Sequence, residues 1–115
     1  MKFVLLYEDK KNRIAVEKQF TGAGHEVVSC ENSNDFMEAV NNGGFDKMII
    51  DVRSWFRGLA IYRYFGIAKS MINTPVLFIN TPEGFTVLDN IRPKNPQDVC
   101  VSSDEGRDNL VARFA

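Results

Sequence analysis

Five short apolar runs punctuate the chain: Lys2–Tyr7 (KFVLLY), Glu26–Cys30 (EVVSC), Lys47–Ile50 (KMII), Pro75–Ile79 (PVLFI) and the weaker Asp98–Val101 (DVCV). Unbroken runs of this length are what strands buried on both faces require. Helical patterns lie between them. Val16, Phe20 and Ala23 recur at helical spacing, and Gly22 and Gly24 then supply a stop. Asn32, Ser33 or Asn34 can cap a second helix that turns Phe36, Ala39 and Val40 to one side and ends at Asn42-Gly43-Gly44. Leu59–Met71 reads as a third helix interrupted by Gly66, and Asp104 opens a short last one with Leu110, Val111 and Phe114 inward. From Thr81 to Gln97, the breakers Pro82, Gly84, Pro93 and Pro96 leave room for only a short helix around Phe85–Ile91. Strands alternating with helices through short links predict a parallel sheet covered on both faces by right-handed crossovers. The expected fold class is α/β, a doubly wound five-stranded parallel sheet within one domain spanning residues 1–115.

Composition narrows the function. With 44% apolar and 25% charged residues the chain is an ordinary globular sequence, and its net charge of -1 argues against a general electrostatic grip on nucleic acid or an anionic membrane. The N-terminal apolar run reaches charge at Glu8, too soon for a signal peptide or a membrane span, so a cytoplasmic location is expected. Cys30 and Cys100 have no metal or redox spacing and read as buried, reduced thiols. His25 reads as a solvated turn residue. Lys10, Lys11 and Arg13 read as a soluble helix face.

In doubly wound sheets the site lies beyond the carboxyl ends of the strands. Those ends carry Tyr7, Glu8 and Asp9, then Asp51, then Asn80 and Thr81, then Ser102 and Ser103, an acidic edge. The turn after the first strand, YEDKKNR, has no glycine, which disfavours a phosphate-cradling nucleotide loop. A lone histidine excludes a Ser-His-Asp set other than one built on His25. Carboxylates from neighbouring strands instead suit a hard cation such as Mg²⁺.

Three stretches taken together resemble the CheY-like receiver domain of bacterial response regulators, nearly end to end: KFVLLYEDKKNR for its first strand and acidic turn, GGFDKMIID for its third strand, and TPVLFIN for its fourth. The resemblance implies a flavodoxin-like, three-layer αβα fold, here with a shortened fourth helix. It further implies that Asp51 is the phosphoacceptor and Glu8 the second acid of a metal-binding pair. Arg53 stands where the family lends a backbone carbonyl to Mg²⁺.

Other positions depart from the pattern. Tyr7 replaces the first acid of the pair, and a phenol is a poor Mg²⁺ ligand at neutral pH. Asn80 replaces the switch hydroxyl, Ser102 the lysine, Val99 the strand-five aromatic and Ser103 the proline that follows. Losing the lysine removes a charge-assisted bond to a phosphoryl group, worth roughly 1.5–3 kcal/mol. The Arg53 guanidinium has two readings: it folds back onto Asp51 or Glu8 and supplies the neutralisation a metal would give, or it points into water. Trp55, Phe56, Tyr62, Tyr64 and Phe65 exceed what one helical face can bury, so Trp55, Phe56, Tyr62 and Tyr64 are candidates for an interaction surface.

The expectation is a non-enzymatic pseudo-receiver of two-component-type signalling that binds a signalling protein, either a kinase or a downstream effector, or a second copy of itself. It requires no cofactor, holds Mg²⁺ weakly at best, and contacts neither nucleic acid nor membrane. The alternative is a phosphotransfer receiver modified on Asp51 with Mg²⁺.

Overall fold

The structure, a computed structural model, describes residues 1–53, 74–81, 95–102 and 109–115. In chain order its elements are β1 (Lys2–Leu6), α1 (Lys10–Gly22), β2 (Glu26–Cys30), α2 (Ser33–Asn42), β3 (Lys47–Asp51), β4 (Val76–Thr81), β5 (Val99–Ser102) and α3 (Leu110–Phe114). The strands form one parallel sheet of order β2-β1-β3-β4-β5. The winding direction therefore reverses at β1 and β3, which puts their carboxyl ends at the switch point of the fold.

Side-chain alternation divides each apolar run between two cores. Phe3, Leu5 and Tyr7 join Ile49, Leu77, Ile79 and Val101 on one face, where Val16 and Phe20 of α1 and Leu110 and Phe114 of α3 cover them. Val4 and Leu6 join Met48, Ile50 and Phe78 on the other, under Phe36 and Val40 of α2. Among the described residues this is the expected three-layer arrangement.

Local chemistry sets the helix ends. Asn32 caps α2 by accepting the Asp35 N–H at 2.8 Å, while its own amide donates to the Asp35 carboxylate at 3.1 Å. Gly43 (φ 68°) and Gly44 (φ 77°) then turn the chain through the left-handed region towards β3. Lys47 Nζ donates to the Phe114 carbonyl at 2.7 Å and lies 4.9 Å from that ring's centroid, fastening α3 to the sheet.

Four sequence-based expectations are corrected. Ala23 is exposed at the end of α1, because the helix stops at Gly22 and only Val16 and Phe20 are fully inward. His25 is half-buried, its ring set edge-on against Phe3 at 5.2 Å, so the turn after α1 is packed rather than solvated. Cys100 is exposed on the edge strand β5, whereas Cys30 is buried as expected. β3 and β4 run on through Asp51 and Thr81, which makes both residues part of the sheet itself. The expected third helix (Leu59–Met71), the shortened fourth, the onset of the last helix at Asp104, and Ser103 lie outside the described residues, as do Trp55, Phe56, Tyr62, Tyr64 and Phe65.

Candidate functional site

At the end of β1 the YEDKKNR turn parts its side chains by alternation. Tyr7 is fully buried, while Glu8 and Asp9 are exposed. Asp9 caps α1, its carboxylate accepting the Asn12 N–H at 3.0 Å and its carbonyl accepting the Arg13 N–H at 2.9 Å. A carboxylate committed to a helix N-terminus is aimed along the helix, not into the sheet edge.

At the end of β3 the Asp51 residue is 3% exposed. Burying a carboxylate is costly unless donors surround it, and the described structure supplies three approaches to Oδ1. The Asn80 carboxamide donates at 2.7 Å, the Arg53 backbone N–H donates at 3.4 Å, and Arg53 Nε stands at 3.8 Å. The Asn80 bond has the short length of a charge-assisted contact. The Arg53 pair is long, and its side chain is 61% exposed, so solvent screens most of its effect.

Asn80 is itself 5% exposed and donates through the same amide nitrogen to the Tyr7 phenol oxygen at 3.1 Å. One carboxamide thus uses its two N–H bonds to join the ends of β1, β3 and β4. It does so from a left-handed backbone, φ 62°, inside a strand. Asparagine tolerates that region better than most residues, and the strain costs roughly 1–3 kcal/mol. The ladder records the distortion: Ile79 pairs with Val101 and Thr81 with Ser102, which leaves Asn80 as an extra residue in β4.

These bonds bring Tyr7, Asp51, Arg53 and Asn80 into one cluster. An open cavity of about 560 Å³ leads to it, lined by Tyr7, Glu8, Asp9, Lys10, Asn12, Asp51 and Arg53. Glu8 belongs to that rim but is solvent-exposed. Ser102 lies half-buried on β5, one strand beyond Asn80. Among the described residues no group of three or more His, Cys, Asp or Glu side chains is placed to hold a metal ion.

Sequence reasoning missed Arg13. Its Nη1 donates to the carbonyls of Tyr7 (3.0 Å) and Glu8 (3.1 Å), and its Nη2 stands 3.8 Å from Glu31. The signal was present, since position 13 falls in the first turns of a helix capped at Asp9, within reach of the strand it follows. Lys10, expected on the soluble helix face, also lines the cavity, as does Asn12. Cys30 lies nearby with its thiol pushed up to about 11, chiefly by burial and secondly by Asp35, with Arg13 opposing, so it is an inert thiol rather than a nucleophile.

A scan against protein-family models and a search of curated proteins both find no match to the sequence. Comparison of structures does find similar proteins. The receiver domain of the Francisella response regulator 1452 superposes with a TM-score of 0.75 at 19% identity, covering 98% of this chain and 92% of that one. The pseudo-receiver domain of the CikA protein, solved by NMR, superposes with a TM-score of 0.66 at 15% identity and the same coverages, 98% and 92%. With its parallel sheet in the order β2-β1-β3-β4-β5, flanking helices on both faces and these structural neighbours, the chain has the CheY-like, flavodoxin-like fold of response-regulator receiver domains.

Proposed function

We propose that the chain is a pseudo-receiver of two-component-type signalling, a domain that works by binding a protein partner and not by phosphotransfer through Asp51. The buried Tyr7–Asn80–Asp51 network carries this reading. Phosphoryl transfer depends on a positioned, charge-neutralised acceptor, and here Oδ1 of Asp51 already holds an amide donor at 2.7 Å. The donor set also fits Mg²⁺ poorly, because that ion demands near-ideal octahedral oxygen ligation. Asp9 is committed to capping α1, and Tyr7 accepts a bond from Asn80. Glu8 lines the same cavity as Asp51 from its exposed rim, and the Arg53 guanidinium stands 3.8 Å from Asp51 Oδ1.

The pseudo-receiver domain among the structural neighbours supports the same reading. The partner is a signalling protein, a kinase or a downstream effector, or a second copy of the chain. A net charge of -1 speaks against nucleic acid and anionic membranes as partners, and no helix among the described residues is long and apolar enough to cross a membrane. The setting proposed for this binding is the cytoplasm, and the domain acts without enzymatic activity and without a required cofactor.

A second reading, a phosphoacceptor receiver, draws on the open cavity that reaches Asp51. Incubation with acetyl phosphate and Mg²⁺, followed by intact mass measurement, separates the two. The proposed function predicts no phosphoryl adduct. An adduct that forms on the wild-type chain and disappears in Asp51→Asn would transfer the assignment to the second reading.

A further inference from the structure

β1 ends its regular pairing at Leu6, so Tyr7 stands one residue beyond the strand while its phenol serves the buried network. Its main chain is held from two sides. The N–H donates to the Cys30 carbonyl at 3.1 Å, and the carbonyl accepts from Arg13 Nη1 at 3.0 Å. The same nitrogen takes the Glu8 carbonyl at 3.1 Å, so one guanidinium gathers two consecutive carbonyls where the chain leaves the sheet. The Arg13 side chain is 13% exposed and its second nitrogen faces Glu31, beyond the end of β2, at 3.8 Å. A planar guanidinium with five donors in a fixed fork suits this task, and a lysine ammonium, a point charge on a flexible stem, does not.

We infer that Arg13 is the positioning residue of the site: by fixing the Tyr7 main chain it keeps the phenol against the Asn80 carboxamide and so keeps that amide on Asp51. Arg13 acts on Asp51 through Tyr7. The inference deepens the proposed function and rests on its view of Asp51 as a carboxylate held in the Tyr7–Asn80–Asp51 network.

The test is amide hydrogen exchange followed by NMR on the full chain, with the Asn80 side-chain amide and the Tyr7 backbone amide as probes and Met48 and Ile49 of β3 as references. In Arg13→Met the two probes should exchange about tenfold faster while the references keep their wild-type protection, the mark of a local opening. Arg13→Lys, a milder change, should show the same pattern to a smaller degree, and it decides the matter if the methionine variant does not fold. Wild-type protection of the Asn80 amide in the variant that folds would overturn the inference. Equal acceleration at the probes and at Met48 and Ile49 would also overturn it, since Arg13 would then support only the fold at large. A phosphoryl adduct on the wild-type chain would sink the proposed function while leaving this local opening readable, so the two failures are distinguishable.

Discussion

Replacing Asn80 with alanine will destabilise the chain by about 3 kcal/mol, a large loss for a single polar side chain. Two effects add. The buried Asp51 carboxylate loses its 2.7 Å donor, worth roughly 1.5–3 kcal/mol for a bond to a charged group. Alanine must also adopt the left-handed φ of 62°, at a further ~1 kcal/mol. Asn80→Gly separates the two, because glycine reaches that φ freely and should show only the first loss. Urea unfolding with unchanged m-values is the measurement. Alanine and glycine variants both within about 0.5 kcal/mol of wild type would mean that the network is incidental.

Asn80→Asp extends the argument through charge. It places a second carboxyl where the donor stood, and two carboxylates in contact cannot both ionise cheaply. The folded pair then holds a proton that the unfolded chain releases at neutral pH. Stability of this variant should therefore rise as pH falls towards the carboxylate range and be lowest near neutrality.

The second large effect lies in the core. Phe20→Ala should cost about 3–5 kcal/mol, the range for emptying a buried phenylalanine site. Phe20 is fully buried, its ring 4.7 Å from Phe3 and 6.4 Å from His25. Phe3 also touches Phe114 of α3 at 6.1 Å, so the cavity would open beneath both helices on that face. Thermal or urea unfolding checks this, and a loss below about 1 kcal/mol would show that the α1 face contributes far less than its burial indicates.

The fold was legible because its signals are local. Apolar runs marked all five strands, continuous in β1, β3 and β4 and weaker at the sheet edges β2 and β5, and Asn32 and the Gly43-Gly44 pair marked the limits of α2 by their capping and turn chemistry. Ala23 misled because helical spacing continued one residue past Gly22, the last residue of α1. His25 and Cys100 misled for another reason: their burial depends on what packs across the sheet, which no local pattern carries. The site was legible as a set of strand-end positions, and the fold does gather Tyr7, Asp51, Arg53 and Asn80. Its bonding was not legible. That Asn80 would bulge out of register and turn its amide to two strands at once follows from tertiary packing, and the Arg13 clamp was hidden in a run of basic residues that reads equally well as a helix surface.

The central claim is that Asp51 is held by donors from its own neighbours and does not serve as a phosphoacceptor. The most direct measurement is an amide NMR titration of the chain with Mg²⁺ and then beryllofluoride, a mimic of the phosphoryl group, following Asp51, Asn80 and Ser102. The account predicts no saturable shift at these positions through the millimolar range. Saturable shifts at all three would contradict it and show the acidic edge to be a working phosphoryl site.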